Sequence, residues 1–153
     1  MKPSHVLVPL DGSPLSEDAL TYALEVFDCR VTVLNVLTPL DADMSEGGIL
    51  EPGEGRTETA RERATRLIER ATDRAASEGR TVETAIESGD PVEAILAYAD
   101  HNDIDHIVIG GHGGDPKRFL RKMLGTVATA VVSEASVTVT VVREPKSDAG
   151  GGY

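Results

Sequence analysis

His5-Val6-Leu7-Val8-Pro9-Leu10-Asp11-Gly12-Ser13-Pro14 reads as a strand that runs straight into a helix. Residues 5–10 form a short continuous apolar strand, the pattern of a strand buried on both faces. Pro14 suits the first helical position, where a missing N–H is no loss, and Ser13 before it is a natural N-cap. Beyond it Leu15, Ala19, Tyr22, Ala23 and Val26 recur at helical spacing, so this stripe is expected to face a core. A second apolar run from Val31 to Val36 completes a β-α-β unit.

The alternation continues outward. Arg56 to Glu78 carries Ala60, Ala64, Leu67, Ile68, Ala71 and Ala75 on one stripe, with Gly79 placed to end that helix. Thr81 to Glu87 follows as a strand. Asp90-Pro91-Val92-Glu93 then forms a capping box ahead of a helix whose buried face is Val92, Ile95, Leu96 and Ala99. Ile107 to Ile109 is a fourth strand, a helix begins after Gly125, and Val137 to Val142 closes the chain as a fifth strand. Strands and helices in this order imply a doubly wound α/β fold, a parallel sheet covered on both faces with right-handed crossovers. In such folds ligands sit beyond the carboxyl ends of the strands, where the strand order reverses.

At 153 residues, 40% hydrophobic and 27% charged, the chain suits one domain over residues 1–145, with a mobile tail at 146–153. Cys29 is the only cysteine, which excludes intramolecular disulfides and thiolate metal clusters. The start of the chain lacks the apolar stretch of a signal peptide and no segment is long enough to span a bilayer, so a cytoplasmic protein is expected. A formal net charge of −11 argues against a broad nucleic-acid surface. It also suits concentrated salt, where self-repulsion between carboxylates is screened.

Gly110-Gly111-His112-Gly113-Gly114 follows the fourth strand, and Gly125-Thr126 opens the next helix. Glycines let several N–H groups approach a ligand closely, and a helix N-terminus adds unpaired donors, so the outline is that of a phosphate cradle. Lys117, Arg118, Arg121 and Lys122 cluster just beyond it in an otherwise acidic chain, either as an anion site or as a solvated face. No P-loop motif is present, and Pro116 stands where a dinucleotide fingerprint starting at Gly111 needs its third glycine. His5, His101 and His106 are dispersed and suggest no metal site. No base is paired with a nucleophile, so no catalytic residue is assigned and a binding module is favoured over an enzyme.

Val6-Leu7-Val8-Pro9-Leu10-Asp11-Gly12-Ser13, Gly89-Asp90-Pro91, Asp105-His106-Ile107-Val108-Ile109-Gly110, Gly125-Thr126-Val127-Ala128 and residues 137–143 together resemble the universal stress proteins, an adenine-nucleotide-binding α/β family. The resemblance implies the sheet order 3-2-1-4-5, which places the switch point between the strands ending at Asp11 and Ile109. It implies ATP as ligand, with or without Mg²⁺. Pro9, Leu10 and Asp11 would then line one side, Asp11 accepting from adenine or ribose or helping to hold the metal. As a plain turn residue, Asp11 would instead cap the helix behind it. Val36 would pack on adenine. Gly110, His112, Gly113, Lys117, Arg118, Gly125, Thr126, Val127 and Ala128 would surround the phosphates and ribose. Family members that bind nucleotide have nine residues between the second and third glycines of this motif, whereas eleven separate Gly113 from Gly125 here.

The last strand alternates strictly, with Val137, Val139 and Val141 on one side, and such an edge invites pairing with a second copy. The resemblance implies a homodimer through that strand. Thr38 to Gly55, rich in Asp, Glu and Gly, is expected to be a lid or a disordered connection. The functional expectation is therefore a homodimeric ATP-binding stress-response module. The alternatives are a relative that acts through protein contacts without ATP, or a slow nucleotide hydrolase or transferase.

Overall fold

The computed structural model describes residues 2–38, 59–112 and 124–144. Along them run β1 (His5–Pro9), α1 (Pro14–Val26), β2 (Arg30–Leu37), α2 (Ala60–Ser77), β3 (Glu83–Ser88), α3 (Pro91–His101), β4 (His106–Gly110), α4 (Thr126–Glu134) and β5 (Thr138–Val142). The strands form one sheet in the order β3-β2-β1-β4-β5, parallel throughout, as expected. The order reverses between β1 and β4, where Val6 lies opposite His106.

Each strand alternates between two cores. On one face Val6, Val8, Val31, Val33 and Val108 pack beneath α1 and α2. On the other, Leu7, Leu34, Ile107 and Ile109 pack beneath α3 and α4. Val6, Leu7, Val8, Val33, Leu34, Ile107 and Val108 are fully buried, and each such side chain contributes about 1.5–3 kcal/mol of apolar burial. The alanine stripe of α2 is buried at Ala60, Ala64, Ala71 and Ala75, with Leu67 and Ile68 against the same core. Small side chains there let the helix lie close to the sheet.

The helix starts are built from local hydrogen bonds. Ser13 Oγ accepts from the Ser16 N–H ahead of Pro14, as the sequence suggests. Asp90 caps α3 through the Glu93 N–H at 3.0 Å. For α2 the expected start at Arg56 is corrected: Thr59 is the N-cap and closes a capping box with Glu62. Thr59 has extended backbone angles, φ −76° and ψ 162°, so the apolar stripe and not the preceding polar stretch fixes the boundary.

Other boundaries shift by one or two residues. β1 ends at Pro9 because Leu10, although its N–H still reaches Leu34 O, already turns toward α1. β3 starts at Glu83, where pairing with Thr32 begins, and β5 at Thr138, opposite His106. The α1 stripe is also corrected. Leu15, Ala19 and Ala23 are buried, but Tyr22 and Val26 are 38% and 52% exposed, while Leu20 and Leu24 take their places in the core. The buried face is thus rotated toward α2, leaving Tyr22 and Val26 on the opposite rim, where Tyr22 meets Phe27 edge-on.

The amino-terminal edge of the sheet holds two histidines on opposite faces. His5 Nε2 and Thr32 Oγ1 share a hydrogen bond at 2.8 Å, and His106 Nε2 and Thr140 Oγ1 share another at 2.8 Å. Burial lowers the pKa of both rings; Arg30 lowers His5 further, whereas Asp105 opposes the shift at His106. Asp105 itself loses solvation, yet its bonds from Ser4 and from the His5 N–H hold its pKa below the usual value. Arg80 spans the other end of α1, donating to the carbonyls of Leu24, Phe27 and Cys29 at 2.6–2.9 Å.

Candidate nucleotide site at the switch point

Two chain segments leave the carboxyl ends of the neighbouring strands β1 and β4. From β1, Pro9 and Leu10 lead to Asp11 and Gly12, both exposed, and then to the cap of α1. Asp11 Oδ1 accepts the Ser13 N–H at 2.9 Å, and Gly12 takes φ +87° between them. The turn-capping role foreseen for Asp11 is therefore present, and it occupies one carboxylate oxygen.

From β4, Gly110 pairs with Val142 and passes directly beneath α1. A Cβ on Gly110 would come within 2.9 Å of the Leu15 carbonyl, so this glycine serves close packing of strand against helix. Gly111 is buried. Its N–H donates to Val142 O at 2.8 Å and its carbonyl accepts from Gly125 N–H at 2.6 Å. A Cβ on Gly125 would lie 3.1 Å from His112 Cα. These contacts bring His112 and the start of α4 together, whatever the number of residues between them in sequence.

Gly125 is the N-cap of α4 and supplies no side chain to cap it. Thr129 N–H returns to Gly125 O, so the N–H groups of Thr126, Val127 and Ala128 have no partner within the helix. Both ring nitrogens of His112 are buried without a hydrogen-bond partner among the described residues. A neutral imidazole carries one donor and one acceptor, and leaving both unmatched is costly unless a ligand meets them. Backbone N–H groups and an imidazole thus stand together after β4, and the Asp11 carboxylate leaves the neighbouring strand β1.

Gly110 ends β4 and His112 follows it, Gly125 lies against Gly111 and His112, and Thr126, Val127 and Ala128 are the first turn of α4, while Pro9, Leu10 and Asp11 lie at the end of the adjacent strand β1. Val36 is half-buried and packs against the core under α3 and α4, in register with Glu87 of β3. Gly113, Lys117, Arg118, Arg121 and Lys122 lie outside the described residues, as do residues 39–55 of the expected lid and the tail from 146. No group of three or more metal-ligating side chains occurs among the described residues.

Sequence reasoning missed two participants. Leu15 is the backbone contact that demands glycine at position 110. Asn35 donates Nδ2 to Leu10 O at 2.7 Å from within β2. Its signal was visible, since an amide in a buried, apolar strand must find a partner.

The sequence is 28% identical to universal stress protein MJ0531 of Methanocaldococcus jannaschii over 148 residues, 94% of this chain and 84% of that one. The fold superposes on the hypothetical protein MJ0577 with a TM-score of 0.73 at 23% identity, covering 94% of this chain and 98% of the other. It superposes on At3g01520, a universal stress protein family protein from Arabidopsis thaliana solved with AMP bound, with a TM-score of 0.67 at 21% identity, covering 94% and 93%. Residues 3–143 match the universal stress protein family along almost the whole described fold, and this chain belongs to that family.

Proposed function

We propose that this chain is an adenine-nucleotide-binding module of the stress response, with ATP as its ligand, acting as a signalling or protective protein and not as an enzyme. The observation that carries the reading is that the Asp11 turn and the Gly110–His112 segment leave neighbouring strands at the switch point, with the uncapped start of α4 bonded to Gly111. A structural neighbour solved with AMP supports adenine as the base. The unpartnered ring nitrogens of His112 support a ligand that supplies both a phosphate acceptor and a polar contact. Mg²⁺ fits as a companion of the phosphates, because Asp11 can offer its second oxygen as a single protein ligand.

The active unit is a homodimer joined through β5, which ends the sheet. Residues 126–142 contain one charged side chain, Glu134, in a chain of net charge −11, so two copies can meet there without bringing carboxylates together. The three valines expected to face the partner pack in part on this chain's own core, so the outer backbone edge of β5 makes the pairing. The acidic surface fits a cytoplasm of high salt. No helix among the described residues is long and apolar enough to cross a membrane.

Thermal melts with and without Mg-ATP in concentrated salt test this reading. A ligand that binds only the folded chain raises the midpoint, and no rise at millimolar nucleotide refutes ATP binding.

A further inference from the structure

Asn35 is 6% exposed and shares its face of β2 with Val31 and Val33, both buried in the core beneath α1 and α2. Its Nδ2 donates to Leu10 O at 2.7 Å, while Leu10 N–H donates to Leu34 O at 2.8 Å. Consecutive residues of β2 therefore hold Leu10 by its carbonyl and by its amide. The β1–β2 ladder has already ended at Pro9 opposite Leu34, so the Asn35 bond lies beyond strand pairing. An apolar side chain would suit the packing of this position better than an amide, which must be desolvated. What the amide adds is a fixed direction for the chain as it leaves β1, one residue before Asp11.

We propose that Asn35 is a positioning residue for the nucleotide site, acting through Leu10 to set where the Asp11 carboxylate stands. The proposal rests on the nucleotide reading above. The peptide between Leu10 and Asp11 is held at its carbonyl by Asn35, and Asp11 is held at its far side by the Ser13 N–H. With both ends fixed, the remaining carboxylate oxygen is presented to the ligand at little conformational cost. Without Asn35 the peptide can rotate, and Asp11 loses its fixed place while β1 and β2 stay paired.

A double-mutant cycle tests this by calorimetric titration of Mg-ATP into the native chain, Asn35→Leu, Asp11→Ala and the double variant. The expected result is a dissociation constant raised about tenfold by Asn35→Leu, roughly the weight of one buried hydrogen bond. In the Asp11→Ala background the same change should have an effect of less than about twofold, because the group it positions is gone. Equal losses in both backgrounds would assign Asn35 to strand stability alone and overturn the proposal. Asn35→Val, smaller and β-branched, replaces the leucine variant if thermal melts show that leucine overpacks the strand. A native chain that binds no Mg-ATP overturns the nucleotide reading and this proposal together, whereas native binding with an additive cycle overturns only the latter.

Discussion

Gly110 passes so close beneath the first turn of α1 that a Cβ on it would come within 2.9 Å of both the carbonyl carbon and oxygen of Leu15. Backbone atoms cannot rotate away as a side-chain tip can. This contact joins β4 to the helix that follows Asp11, so it fixes the two halves of the proposed site against each other. Gly110→Ala should cost about 1–3 kcal/mol of stability through overpacking. Urea unfolding measures it, and an unchanged midpoint would show that the helix has room to move.

Asp11 has two separable tasks. Its Oδ1 accepts the Ser13 N–H, and in the proposed site its charge serves the ligand. Asp11→Asn keeps an acceptor for Ser13 and should leave stability within about 0.5 kcal/mol of the native chain, while weakening Mg-ATP binding. Asp11→Ala should lose affinity and also about 1 kcal/mol of stability with the turn bond. Equal ATP affinity for Asp11→Asn and the native chain would confine Asp11 to its turn.

Two histidines, His5 buried and His106 half-buried, predict the acid side of the stability profile. Their folded pKa values lie below the ordinary 6.5, so the unfolded chain binds more protons as pH falls through that interval. Their contribution is complete above pH 6.5 and is lost progressively below it, through the lowered folded values. Asp105 acts later, since its folded pKa lies below 3.8 and its contribution is lost only as pH falls beneath that value. At about 1 M salt, where general charge repulsion is screened, unfolding midpoints should drop between pH 7.5 and 5. His106→Gln should drop less than the native chain; an equal or steeper fall would remove His106 from the account.

The β5 edge supplies the dimer prediction. Val142 carbonyl points inward to Gly111 N–H, so strand alternation directs the N–H and C=O of Val141 and Val139 toward the open edge. Proline is tolerated where a strand's N–H faces away from its own sheet. Val139→Pro should therefore leave the monomer folded and abolish self-association in sedimentation equilibrium. A dimer that persists would place the interface elsewhere, with the exposed Tyr22, Val26 and Val132 as the next surfaces to alter.

The fold was largely legible because its strands are buried on both faces and so read as apolar runs, as in residues 5–8 and 107–109. Strand order was not in those runs; it came from the resemblance of the motifs around Asp11 and Gly110. The α1 stripe misled because period alone does not say which side of a helix meets a neighbour. Leu20 and Leu24 turn toward α2 and the sheet, leaving Tyr22 and Val26 outside. In the site, the glycines were visible but their separate roles were not. Gly110 answers to Leu15, a contact across 95 residues of sequence, whereas Gly125 answers to Gly111 and His112. Asn35 was overlooked because a single amide in a valine-rich strand announces a buried partner without naming it.

Amide chemical-shift mapping during a Mg-ATP titration tests the central claim most directly, that the Asp11 turn, the Gly110–His112 segment and the start of α4 form one nucleotide site. Saturable shifts are expected at residues 10–13, 110–112 and 125–128, with Leu10 moving alongside Asp11. Shifts confined to one of these segments, or centred instead on the cleft of about 640 Å³ between α1 and α2 around Leu20, Arg70 and Arg74, would contradict it.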